Sequence, residues 1–168
     1  DTVSAIKNYL EAIDKNQSYY DAHIQLGLIY STANNALAID YFNNALNLDP
    51  QSIEALYALG LFYQQTGDAE KAMSTYNRLL IADPENVYGH YNLGYVNLVL
   101  LKEFEQAIIH FDMASQLKPD YFEAVYNKAY CYELLGDYQT ARELYNAVLE
   151  IEINYARAIE GLNRIQGR

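Results

Sequence analysis

A single cysteine, Cys131, stands in the 168 residues, so no disulfide can form within the chain and the redox compartment stays open. Basic residues are scarce: 11 Lys and Arg face 22 Asp and Glu, a formal net charge of −11 with His neutral. That balance argues against phosphate backbones and anionic membranes as partners and weakly for a basic one. No apolar run approaches the ~18 residues a membrane helix needs, and no secretory leader is visible. The localisation is therefore unassigned, cytoplasmic or exported behind an upstream signal. Gly-rich phosphate loops are missing too, since Gly27, Gly60 and Gly94 stand apart instead of clustered. His23, His90 and His110 fall on separate helical segments with no metal-ligand spacing around them, and are expected to be structural. Cys131 lies in no reactive-cysteine motif and is expected to be a small buried side chain. Acidic pairs such as Asp68 and Glu70 fall in turns. No catalytic residues, cofactor or metal are expected, and the chain reads as a non-enzyme.

What the chain does have is apolar residues at helical spacing, in a composition that is 51% apolar. In residues 53–86 they recur three and four apart on both sides of Gly67, which predicts two amphipathic helices joined by a short loop. Sliding the chain against itself repeats that stretch. Gly27, Gly60 and Gly94 align, followed by Ala129; Ala38, Ala72, Ala107 and Ala141 align; Pro50, Pro84 and Pro119 align, followed by Ile153. The period is 33 to 35 residues.

The best copy carries Leu56, Leu59-Gly60, Tyr63, Ala72, Tyr76 and Pro84. It resembles the tetratricopeptide repeat, whose signature places a bulky residue, Leu-Gly, Tyr, Ala, an aromatic and Pro at fixed offsets in about 34 residues. The resemblance extends over nearly the whole chain. It implies an all-α fold, a right-handed superhelical solenoid of antiparallel helix pairs forming one domain over 1–168. Residues 1–19 would hold the second helix of a truncated repeat, followed by repeats at 20–52, 53–86, 87–121 and 122–155 and a capping helix at 156–168. In that cap Ala158, Ile159, Leu162 and Ile165 face inward, with Arg157, Glu160, Asn163 and Arg164 outside. A half-repeat that opens on Asp1 reads as a processed chain, cut within a longer array, or as a face covered by another chain.

Steric readings attach to these positions. Glycine inside a helix costs ~1 kcal/mol against alanine, so Gly60 is expected where two helices cross closely. Pro84 is expected to end a second helix. Asn34-Asn35 replace the turn glycine of the first repeat. The third repeat departs most: Asn97 stands for Tyr, Leu101 for the turn glycine, and one residue is added before Ala107. Its apolar run 98–101 is expected to pack more tightly at an altered turn, ahead of the reading as an exposed contact patch. Lys128 replaces a buried Leu; its stem is expected to pack and its amine to reach water.

The resemblance also implies a concave groove lined by the second, fifth, sixth, ninth and twelfth positions of each first helix. Those positions include Leu28, Ser31, Ala58 and Leu98, and the candidate groove residues Tyr57, Leu61, Tyr88, Tyr91, Asn92, Tyr95, Tyr126, Asn127 and Tyr130. Tyrosine offers a large contact area at low rotamer entropy, and it recurs at binding surfaces. The competing reading packs these rings on neighbouring repeats. Asn92 and Asn127 are equivalent one repeat apart, and a carboxamide can both donate to and accept from a peptide main chain. The expected ligand is an uncharged, aromatic- or proline-containing, or mildly basic protein segment. Chaperone-type members of the family clamp acidic C-terminal tails with Lys, Asn and Arg; that clamp is missing, and Glu54, Glu123 and Glu133 would repel such a tail. The second reading is a structural spacer, or a segment of a larger multidomain protein that self-associates through its open N-terminal face. Neither reading involves nucleic acid or insertion into a membrane.

Overall fold

Helix starts are set locally by short polar side chains. Ser52 Oγ accepts from the Ala55 N–H at 3.1 Å, and Asn86 Oδ1 from the Gly89 N–H at 2.9 Å. Asp68 caps Lys71 N–H at 3.2 Å and Asp137 caps Thr140 N–H at 3.1 Å. Each satisfies a donor that the first helical turn leaves without a partner, worth about 1 kcal/mol. Stops are equally local. Asp49, Asp83 and Lys118 adopt extended backbone directly before Pro50, Pro84 and Pro119, as the ring of a following proline demands. Between the two helices of a pair the chain needs one left-handed residue, supplied by Asn34 (φ 51°), Gly67 (φ 79°) and Gly136 (φ 82°).

The computed structural model describes residues 1–168 as ten α-helices and one π-helical turn. They are α1 (Thr2–Lys15), α2 (Tyr20–Thr32), α3 (Leu37–Leu48), α4 (Ile53–Gln65), α5 (Ala69–Ala82), α6 (Val87–Tyr95), the π-helical turn (Val96–Leu101), α7 (Phe104–Leu117), α8 (Phe122–Leu135), α9 (Tyr138–Ile151) and α10 (Ala156–Arg164). The first helix of every repeat thus starts at the residue the period assigns. None is long and apolar enough to cross a membrane. The chain divides into two compact units, residues 1–84 and 85–168. In the first, α2 pairs with α3 and α4 with α5, while α1 lies on α2 and α3 on α4. In the second, α6 pairs with α7 and α8 with α9, while α7 lies on α8 and α10 on α9.

One contact recurs in both units. A Cβ added at Gly27 would stand 2.5 Å from the Phe42 ring, at Gly60 2.6 Å from the Tyr76 ring, and at Gly94 2.7 Å from the Phe111 ring. All three rings are fully buried. The glycines therefore mark where the first helix of a pair crosses an aromatic ring of the second. The fourth repeat solves the crossing differently. Ala129 holds the glycine position, and the Tyr145 ring meets Gly161 of α10 instead, 2.5 Å from where its Cβ would be. Tyr145, Ala129, Ala141, Ala158 and Ile165 share one core cluster, so α10 docks on α9 through the same small-against-aromatic contact.

The residue added to the third repeat appears as the π-helical turn, which widens the helix by one residue and leaves Ala107 buried in register. The apolar run expected to pack is split by it: Leu98 is buried, whereas Val99 and Leu101 stay exposed. Lys102 takes the left-handed position of the missing glycine, with φ 59°. Lys128 departs from expectation as well. Its amine is ion-paired with Asp112 of α7 instead of reaching out into water, because α7 lies against α8 and brings that carboxylate within reach.

Replacing Gly60 with Ala is expected to destabilise the chain by about 1–2 kcal/mol in urea unfolding, since a methyl forced against a buried ring outweighs the gain in helix propensity. Adding Tyr76→Leu should relieve the clash, so the double variant should lose less than the sum of the two single losses. A stabilised Gly60→Ala variant would show that the ring does not set the helix spacing.

Candidate peptide-binding faces

Each unit carries groove positions of its own. In the first unit, Leu28 and Ser31 of α2 meet Ala58 and Leu61 of α4 around a hollow of about 220 Å³. Tyr57, beside Ala58, is half-buried. In the second unit, α6 and α8 bring together seven of the candidate residues. Tyr88 is the most open of them at 49% exposure, with its ring edge-on to Tyr121 at 6.0 Å. Tyr91 packs on Tyr121 at 4.9 Å and on Phe111 at 5.7 Å, and its hydroxyl accepts from Asn127 Nδ2 at 3.1 Å. Tyr126 stacks parallel to Tyr130 at 6.4 Å and leans on Tyr145 and Tyr155. Tyr95 and Tyr130 pack against the cluster of Leu98, Ala107, Phe111 and Cys131. Asn92 is buried, with 6% of its surface exposed. The Tyr91, Tyr95, Tyr126 and Tyr130 rings are half-buried, standing partly in the seams between helices and partly at the surface.

Electrostatics on this face are more settled than its sequence implies. Glu133, taken from the sequence as a wall acid facing a ligand, accepts from Arg164 Nε at 2.8 Å and Nη2 at 3.0 Å, and from the Tyr145 hydroxyl at 2.6 Å. Burial pushes the Glu133 carboxyl up, but the hydrogen bonds from Arg164 and Tyr145 outweigh it and hold it below the ordinary value. Arg164 is exposed, as expected of the outer side of the last helix, and from there its guanidinium also reaches to 5.7 Å from the Tyr130 ring centroid. The reason is α10 itself, whose Gly161 seats on Tyr145 and turns Arg164 toward the end of α8.

Two further expectations need correcting or completing. His90 and His110 belong to paired helices and come together, Nδ1 to Nδ1 at 3.4 Å, rather than standing apart. No group of three or more His, Cys, Asp or Glu is arranged to hold a metal ion. Cys131 is buried, and that burial pushes its thiol up to about 12, so it stays a thiol at neutral pH.

Two profiles described as tetratricopeptide repeat match the chain, one over residues 33–91 and one over residues 101–156, together more than half of it. The chain belongs to the tetratricopeptide repeat family. Among curated proteins it is 25% identical over 114 residues to Anaphase-promoting complex subunit 3 of Schizosaccharomyces pombe, covering 67% of this chain and 17% of that protein. It is 29% identical over 148 residues to Protein O-mannosyl-transferase TMTC3 of Homo sapiens, covering 84% of this chain and 15% of that protein. The chain thus spans less than a fifth of either relative's length, and the second is named as an enzyme. Among solved structures, MamA superimposes with a TM-score of 0.84 at 24% identity, covering 94% of this chain and 92% of that one. The first repeat domain of Spaghetti, bound to the HSP90 peptide SRMEEVD, superimposes at 0.66 with 27% identity, covering 70% of this chain and 93% of that one. Tetratricopeptide repeats generally bind protein or peptide partners, and this chain has the fold of such an interaction scaffold.

Sequence reasoning overlooked Gly161 and Arg164. Aligning α10 as a further first helix, with its small residue set against Tyr145, was the available signal. Because the Glu133 carboxyl is held low, its contribution to stability is complete above the unfolded value of about 4.3 and is lost as pH falls through the lower folded value. Glu133→Gln should therefore flatten the acid limb of the stability–pH curve in urea denaturation, and an acid limb unchanged from the parent would refute the pairing. His110 titrates on the other side of this window. Burial, and after it the neighbouring His90, hold its imidazole below the ordinary value. The unfolded chain takes up that proton first, so stability is complete above about pH 6.5 and declines as pH falls through the folded value. His110→Phe should lessen the loss of thermal midpoint between about pH 7.5 and about pH 5; an equal loss in both proteins would count against it.

Proposed function

We propose that this chain is a non-catalytic scaffold that binds an uncharged, aromatic- or proline-containing, or mildly basic protein segment. The residues assigned to that role are Tyr88, Tyr91, Asn92, Tyr95, Tyr126, Asn127 and Tyr130 on α6 and α8, with Tyr57 and Leu61 on α4. The observation that carries the reading is the Asn127 to Tyr91 hydrogen bond at 3.1 Å. It joins two groove positions from successive repeats and fixes both side chains before any ligand arrives, which lowers the ordering cost of binding. Asn127 keeps a carboxamide oxygen and a second N–H, and the Tyr91 hydroxyl keeps its proton, so an extended main chain could meet both a donor and an acceptor. The half-exposed rings offer side-chain pockets beside it. Asn92, being buried, presents an edge only and is assigned the lesser part.

The test is selection of binders from a random peptide library displayed on phage, against the whole chain. Aromatic and proline residues should be enriched and acidic tails depleted. Because Tyr88 is open and Asn127 bears no core packing, Tyr88→Ser and Asn127→Ala should keep their helicity while weakening the selected peptides by at least about 1 kcal/mol each. Peptides that bind both variants as tightly as the parent would remove the face from consideration.

A further inference from the structure

Beside the ends of α6 and α8, Leu98, Val99, Phe104, Tyr130 and Leu134 surround a hollow of about 340 Å³, and Lys102 is the one charged residue that lines it. Leu98 and Val99 of the π-helical turn form one wall of the hollow. Across the π-helical turn Leu98 points in and Val99 stays at the surface, and the Lys102 backbone N–H then closes on the Asn97 carbonyl. This closure holds Lys102 left-handed, a conformation unfavourable for a side-chain-bearing residue and one that other turns give to Gly or Asn. A strained residue kept at the rim of an apolar recess directs attention to what it faces.

Lys102 brings the hollow its one charge. Ion pairs join Lys7 with Glu11, Lys71 with Asp68, Lys128 with Asp112 and Arg164 with Glu133. Arg164, on the Tyr130 ring, is thus already neutralised, whereas Lys102 has no carboxylate partner. Lys102 thus sets one positive charge against the apolar lining of the hollow.

We propose that this hollow is a docking pocket for one bulky apolar side chain, of phenylalanine or leucine size, followed by an acidic residue that reaches Lys102. The proposal rests on the reading that a polypeptide partner lies along α6 and α8, and it adds the anchor at one end of that segment. Apolar burial supplies the bulk of the attraction. The Lys102 amine sets the order of the two residues, because an apolar wall alone cannot tell an acidic neighbour from a basic one. Beyond that single acid the segment stays uncharged or mildly basic, since Glu103 and Glu123 border the same helices.

The experiment titrates the isotope-labelled whole chain with a capped hexapeptide of serine and glycine carrying a phenylalanine followed by an aspartate, and with its aspartate-to-lysine counterpart, read by amide chemical shifts. Shifts should concentrate at residues 98–104 and 130–134, with the aspartate peptide binding about threefold more tightly than the lysine peptide. Lys102→Gln should abolish that preference. Leu134→Asp, at an exposed position that leaves helicity intact, should abolish binding of both. Equal affinities for the two peptides in the parent chain overturn the proposal. Shifts confined to Tyr88, Tyr126 and Asn127 overturn the pocket while supporting the wider face; shifts at the hollow support the pocket, and the wider face stands or falls on the library selection. Shifts at the hollow that grow with protein concentration in the absence of peptide assign it to a second copy of the chain, which also overturns the proposal.

Discussion

An aromatic ring lying under a glycine fixes the distance between paired helices, and most other features of the two units follow from it. With Phe42, Tyr76 and Phe111 fully enclosed, the first helix of each pair cannot rotate about its axis without driving a backbone into a ring. That rotational lock decides which positions face outward. It is why Leu28, Ser31, Ala58 and Leu61 meet around one hollow, and why Tyr91 and Asn127 come within hydrogen-bonding distance although 36 residues separate them. The alanines at 38, 72, 107 and 141 are likewise fully buried, so the second helices are held to the same spacing from the other side.

The repeat was legible because its signature residues answer steric demands that recur at every crossing. Glycine under a ring, alanine opposite and proline after an extended residue each have one cheap solution, so the period reads directly from the letters. Interactions that depend on which faces later meet were not legible. His90 and His110 lie twenty residues apart on two helices, and nothing in their spacing says that their rings come to within 3.4 Å. Arg164 is solvent-facing as its stripe implies, but its pairing was not legible, because its partner Glu133 lies on a helix that is not its neighbour in sequence. The added residue of the third repeat was visible as a count. Its absorption as a π-helical turn was not, since a longer loop would satisfy the same count.

On the proposed reading, the tyrosines combine a packing role and a contact role in one side chain. Tyr91 buries a face on Phe111 and Tyr121 and turns its hydroxyl to Asn127; Tyr126 does the same among Tyr130, Tyr145 and Tyr155. The two readings of these rings drawn from sequence are thus not exclusive: an aromatic wedged in a seam is already ordered, so its exposed edge meets a ligand with little further entropy to lose. The same rigidity leaves such a wall little able to reshape around an ill-fitting side chain.

Charge distribution sharpens that selectivity within the second unit. Glu133 alone would repel acids at the end of α8, but Arg164 and Tyr145 hold its carboxylate, and with it its field, inward. Lys128 is matched by Asp112 in the same manner. Pairing of this kind weakens the field of Glu133 and of Lys128 beyond short range, because paired charges fall off faster with distance than single ones. On the proposed reading, the net −11 acts on encounter and favours basic segments, whereas close fit falls to the rings, the carboxamides and Lys102. The partner proposed here meets both demands if it is basic or neutral along most of its length and acidic only at the residue set against Lys102.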